Sequence, residues 1–204
     1  MTTFIVLPGI GGSNADHWQT LWERSNPSMK RFNPPDWDRP ELSAWCRALQ
    51  EAVDAADEPI ILVAHSLSCL LVTHWAAQSK TLVAGAFLVA VPDPQAPTFP
   101  SAANSFRDVP ERPLPFRSII VASSDDPYNG VEYVERCARE WGSKLVNIGN
   151  RGHINASSNL GEWNEGKFLL RDFIGDLGLG GLELASMGGV TQTMMEGFEN
   201  DKKR

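Results

Sequence analysis

The stretch Ile60-Ile61-Leu62-Val63-Ala64-His65-Ser66-Leu67-Ser68, which runs into the helical pattern Cys69–Gln78, reads as a buried strand turning sharply into a helix with a serine at the turn. A serine held there projects from the end of the strand, as an activated nucleophile requires. Strand and helix approach closely at such a turn, so the residues two before and two after the serine must be small. Here they are Ala64 and Ser68, where glycine is the common choice. The competing reading is that Ser66 only caps the helix, as serine often does.

Working outward, similar apolar runs lie at Phe4–Leu7, Val83–Val89, Ser118–Ala122 and Lys144–Ile148, with a weaker one at Met29–Phe32. Helical patterns separate most of them, which predicts a parallel sheet. The runs are rich in Val, Ile and Leu rather than strictly alternating, as strands covered on both faces must be, so the expected class is a three-layer α/β/α sandwich. One helix opens at Asp38 or Pro40, carries Leu42, Trp45, Leu49 and Val53 on one stripe, and closes at Glu58-Pro59. The last spans Glu162–Phe173. Seven of the fourteen prolines fall in Ala90–Arg117, which has no helical or strand period and is expected to run over the surface. With no internal repeat and no linker, residues 1–174 form one expected domain, and 175–204, rich in glycine and methionine, a peripheral or poorly ordered tail.

Composition narrows the function. The chain has 204 residues, a formal charge of −7 and a pI near 5.1. Nucleic-acid binding is not expected, since phosphate recognition needs clustered Lys and Arg, and the sole basic run is the terminal Lys202-Lys203-Arg204. Cys46, Cys69 and Cys137 are odd in number and widely spaced, giving neither a disulfide framework nor a metal knuckle. No His/Asp/Glu spacing suggests a metal, and no cofactor is implied. The first residues lack signal-peptide features and no stretch reaches the roughly 20 apolar residues of a membrane span, so a cytoplasmic protein without membrane attachment is expected.

A nucleophilic serine needs a general base and an acid to orient it. His153 follows the strand-like Lys144–Ile148 through Gly149-Asn150-Arg151-Gly152, and Asp125-Asp126-Pro127 follows Ser118–Ala122. The order Ser, Asp, His is that of α/β-hydrolases, and three suitable residues after three strand ends are hard to obtain by chance. His65 lies beside the nucleophile and His74 mid-helix, so neither is placed to be the base. His17 either lines the site or has a structural role beside Trp18. The loop Pro8-Gly9-Ile10-Gly11-Gly12-Ser13-Asn14 can cradle a pyrophosphate or form half of an oxyanion hole. The dinucleotide fingerprint fails at its third glycine, where Asn14 stands, so the oxyanion reading is preferred, with the backbone N–H groups of Ile10 and Leu67 as donors.

These residues resemble the small serine hydrolases of the YdeN and retinoblastoma-binding protein 9 type. The resemblance rests on Leu7-Pro8-Gly9-Ile10-Gly11-Gly12-Ser13, Asp16-His17-Trp18, Val63-Ala64-His65-Ser66-Leu67, Asp125-Asp126-Pro127, Gly152-His153-Ile154-Asn155 and Leu160-Gly161-Glu162-Trp163. It spans residues 4 to about 173 and leaves the tail uncovered. It implies a reduced α/β-hydrolase fold lacking the first two strands of larger enzymes, with Ser66 as nucleophile, His153 as base and Asp126 as acid. Asp125 stays open as the alternative acid. The expected sheet is six-stranded and parallel, order 2-1-3-4-5-6, with a crevice where the order reverses.

The function expected is hydrolysis of a small ester, thioester or amide through an acyl-enzyme on Ser66. Trp18, Phe99 and Trp163, with His17, are the candidates for pocket walls, set against the commoner role of aromatics in a core. One rival is a protein-interaction module on the same fold, since members of the family are linked to partner binding. A nucleotide-binding oxidoreductase is the other, disfavoured by Asn14. The sequence leaves the oligomeric state open.

Overall fold

The computed structural model describes residues 2–179. Residues 180–204, the greater part of the expected tail, lie outside the described residues.

In chain order the elements are β1 (Thr3–Leu7), α1 (Trp18–Ser25), β2 (Met29–Arg31), α2 (Leu42–Asp54), β3 (Ile60–His65), α3 (Leu67–Gln78), β4 (Gly85–Val89), β5 (Arg117–Ala122), α4 (Val131–Trp141), β6 (Lys144–Asn147) and α5 (Asn164–Asp176). Short 3-10 turns occupy Ser101–Phe106 and Ala156–Ser158. The strands form one parallel sheet in the order β2-β1-β3-β4-β5-β6, as the sequence led us to expect.

Strand side chains alternate between faces, and here both faces are dry. Ile5, Leu7, Leu62, Ala64, Leu88 and Ile120 pack with Trp45, Leu49, Leu71 and Val134 of α2, α3 and α4. Phe4, Val6, Val63, Phe87, Val89 and Val121 pack with Trp18, Trp22, Leu170 and Phe173 of α1 and α5. The result is three layers, with α3 buried from Leu67 to Trp75.

Three boundaries differ from expectation. Helix α2 starts at Leu42 rather than at Asp38 or Pro40, because the Asp36 carboxylate accepts from the N–H groups of Asp38 and Arg39 and holds that segment in a turn. Glu41 caps the helix instead, accepting from Ser43 and Ala44. Ala90–Arg117 is not a mere surface excursion. It buries Phe99, Ala103 and Phe106, and three bonds tie it to the loop after β5: Asp93 N–H to Tyr128 O, Asn129 Nδ2 to Val91 O, and Thr98 Oγ1 to Pro127 O. Finally, α5 continues past Phe173 through Gly175 and Asp176, and Leu177 and Leu179 pack against the α1/α5 layer.

Candidate active site

β3 ends at His65 and α3 begins at Leu67, leaving Ser66 alone at the turn with φ 54° and ψ −126°. A non-glycine residue at such angles is strained and must be held. Its N–H donates to Val89 O at 2.9 Å, fixing it to the end of β4. The Ser66 side chain makes no capping bond to α3, which removes the capping alternative. The small residues around it act as the sequence implied. Ala64 is fully buried, and Ser68, where glycine is more usual, donates its hydroxyl to Pro8 O and ties the helix to the glycine loop. Gly9 of that loop lies so close that a Cβ there would stand 2.9 Å from Ser66 Cβ.

The Ser66 hydroxyl lies 2.8 Å from His153 Nε2, and His153 Nδ1 lies 2.9 Å from each oxygen of Asp126. A carboxylate only accepts, so Nδ1 carries the imidazole proton and Nε2 is left to accept from the serine. The Asp126 side chain is fully enclosed, and one of its oxygens also accepts from Tyr128 N–H. Asp125 does something else. It accepts from Ser123 Oγ and from Gly152 N–H, both at 2.7 Å, and Ser123 Oγ accepts from Arg151 N–H. These bonds, the Ser123 hydroxyl first, hold its carboxyl below the usual range. Asp125 thus braces the backbone leading to His153 without touching the ring. From the other side, His65 Nε2–H donates to His153 O and Trp18 Nε1–H to Ile154 O.

A cavity of about 190 Å³ opens over Ser66. Ile10 and Leu67, expected as oxyanion donors, and His17 and Phe99, expected as pocket walls, are among the residues that line it. So do His65, Tyr128, Pro92, Pro100 and Asn155, which sequence reasoning did not place there. Tyr128 is one residue past the acid-proline pair, and that position could have marked it. Trp18 and Trp163 are corrections. Neither lines the cavity; at 1% and 3% exposure they sit in the α1/α5 layer, ring centroids 5.0 Å apart, with Trp22 stacked on Trp163. Periodicity could not show that α1 turns its Trp18 face to the sheet, beneath the histidine loop rather than beside the serine.

A serine hydrolase family profile matches residues 4–172. The chain belongs to the serine hydrolase family. Among solved structures, it is similar to one described as a YdeN-like hydrolase of Pectobacterium atrosepticum, with 30% identity over 87% of this chain and 92% of that one and a TM-score of 0.79. The ydeN gene product of B. subtilis matches at 19% identity over 86% and 100% of the two chains, TM-score 0.72. Est1E of Butyrivibrio proteoclasticus, solved with ferulic acid bound, shares the fold at 14% identity over 85% and 90%, TM-score 0.61. No curated protein matches the sequence.

In this YdeN-like serine hydrolase the glycine loop is nailed down by a residue the sequence did not flag. Gln19 is fully buried; its amide donates to Leu7 O at the end of β1 and to Val63 O within β3, and its carbonyl accepts from Ser13 Oγ. A buried Gln beside a glycine loop has no sequence signature. Gly11 and Gly12 take φ of 76° and 66°, folding the loop so that Gly12 N–H returns to Gly9 O. Among the described residues, the N–H groups of Ile10 and Leu67 have no acceptor within the protein, Leu67 because it opens α3. His17 caps α1, its Nδ1 accepting from Gln19 N–H, so its proton sits on Nε2, which is buried without a partner. Burial, then the nearby Arg31 and His153 charges, lowers its pKa to about 4. His65 is driven well below the usual range by burial first and by His17 and His153 next. Both imidazoles are therefore neutral at physiological pH.

Among the described residues no group of His, Cys, Asp or Glu could hold a metal ion, and no helix is long and apolar enough to cross a membrane. Cys46, Cys69 and Cys137 are unpaired, and burial raises all three thiols, Cys46 and Cys137 to about 11, so none is a ready nucleophile.

Proposed function

We propose that this serine hydrolase cleaves small esters, thioesters or amides through an acyl-enzyme on Ser66. The observation that carries the proposal is the unbroken chain of hydrogen bonds from Asp126 through His153 to the Ser66 hydroxyl. As Ser66 Oγ attacks the carbonyl carbon, His153 Nε2 takes the serine proton, and the carbonyl electron pair moves onto oxygen. The N–H groups of Ile10 and Leu67 receive that oxyanion; their lack of other acceptors supports the role, and such donors typically supply roughly a hundredfold or more in rate. When the tetrahedral intermediate collapses, the bond to the leaving group breaks and His153 returns the proton to it. Water then repeats the sequence on the acyl-enzyme, with His153 again as base. Asp126 keeps the imidazole in the productive tautomer and stabilises the imidazolium. The partner is thus a small molecule. Neither a protein partner nor a nicotinamide nucleotide has an observation in its favour, and a binding module would have no need of a strained, base-linked serine.

The test is hydrolysis of p-nitrophenyl acetate by the parent and by Ser66→Ala, His153→Ala, Asp126→Asn and Asp125→Asn. Loss of turnover in the first two by at least about 10³-fold is expected. Turnover unchanged in Ser66→Ala would overturn the reading.

A further inference from the structure

The cavity over Ser66 is small, walled on one side by the core, and lined by residues without formal charge, and together these properties bear on what can acylate the serine. Its volume of about 190 Å³ lies below the roughly 300 Å³ at which drug-sized ligand pockets begin. A space of that size suits acyl groups of a few carbons.

The wall that Phe99 forms is part of the core. Phe99 is 5% exposed, and the Arg107 guanidinium sits 5.0 Å over its ring while donating to Pro94 O. Ala103 and Phe106, just beyond, are fully buried. The bonds from Asp93, Thr98 and Asn129 described above join this segment to the loop that carries Asp126. Enlarging the cavity on the Phe99 side therefore means breaking packed contacts.

None of the residues lining the cavity bears a formal charge, since its two histidines, with rings 4.8 Å apart, are both neutral. The Asp126 carboxylate is enclosed and already accepts from His153 and Tyr128. Among the lining residues an ammonium on the acyl chain would meet no anion and a second carboxylate would meet no Lys or Arg; either desolvation is costly.

We propose that this site selects uncharged acyl groups of about two to four carbons and rejects aminoacyl, dicarboxylic and long-chain acyl groups. The proposal rests on the acyl-transfer reading above. One methylene too many in an apolar pocket commonly costs about tenfold or more in kcat/KM.

The experiment measures kcat/KM for p-nitrophenyl acetate, butanoate and octanoate, for alanine p-nitrophenyl ester and for mono-p-nitrophenyl succinate, with labelling of Ser66 by a small alkyl fluorophosphonate on the same preparation. Acetate and butanoate are expected to exceed each of the other three by more than tenfold. Phe99→Ala, or Phe99→Leu should the alanine variant fail to fold, is expected to raise the octanoate-to-butanoate ratio at least tenfold. Octanoate, alanyl or succinyl turnover within tenfold of butanoate overturns the proposal, as does an unchanged ratio in both Phe99 variants. Labelling without turnover of any ester overturns the acyl class while leaving an activated serine. Neither labelling nor turnover overturns both readings.

Discussion

Ser66 occupies a conformation that costs about 1–3 kcal/mol, and its neighbours are what make that conformation the stable one. Gly9 is the tightest of them. In Gly9→Ala the added methyl meets Ser66 Cβ at 2.9 Å and the His65 carbonyl at 3.3 Å, neither able to yield. A destabilisation of about 1–3 kcal/mol in urea unfolding is expected, with esterase activity falling further than stability because the strain lands on the proposed nucleophile. The paired aspartates separate at the same scale. Asp126→Asn, which favours the wrong imidazole tautomer, is expected to lower kcat by about 10³ to 10⁴, whereas Asp125→Asn, which weakens only the brace on Gly152, should cost about tenfold or less. Sequence could place both on the loop after β5 but could not choose between neighbours, since the choice depends on how the turn aims each side chain. His17 gives the pH dependence. Unfolded it titrates near 6.5, folded near 4, so as pH falls through this window the unfolded chain takes up a proton the folded one refuses. Stability is full above 6.5 and is expected to decline by about 3 kcal/mol by pH 4 from this group, with His65 acting in the same direction. His17→Asn keeps an N-cap for α1 and removes the imidazole; urea midpoints measured across this range should flatten in that variant.

At the scale of elements, strands were easier to read than the helices' orientations. Each strand is a short apolar run between polar or glycine-rich turns, and every expected run became a strand within one or two residues. Helix faces and caps depend on contacts remote in sequence. Asp36 defers the start of α2, and Trp163 seats on α5 through a glycine that looks like a blemish in a helix. At Gly166 a Cβ would fall 2.2 Å from the Trp163 ring. Gly→Ala in a helix normally gains about 1 kcal/mol, but here the ring must leave its stack on Trp22, and moving a packed tryptophan outweighs that gain. Gly166→Ala is expected to lower stability by about 2 kcal/mol or more by chemical denaturation, and to disturb Trp18 and the histidine loop it supports.

The whole molecule explains why residues 66, 126 and 153 meet at all. Strand order reverses between β1 and β3, so the loop after β1 and the turn after β3 open side by side, and the loops after β5 and β6 reach in from the same edge. The positions of Ser66, Asp126, His153 and the glycine loop could be read from sequence because each follows a strand end, where such folds put their chemistry. The cavity walls could not, because they come from an irregular proline-rich segment whose burial has no period. The six strands found among the described residues and the candidate site lie within residues 2–179, and a chain ending at Leu179 is expected to fold and hydrolyse the same esters at the parent rate. The central claim is that Ser66 is activated by His153. Its most direct measurement is labelling by a fluorophosphonate probe, with the modified peptide mapped by mass spectrometry in the parent, Ser66→Ala and His153→Ala. Modification at Ser66 in the parent and its loss in both variants is the expected result; a folded parent that stays unlabelled, or is labelled at another residue, contradicts it.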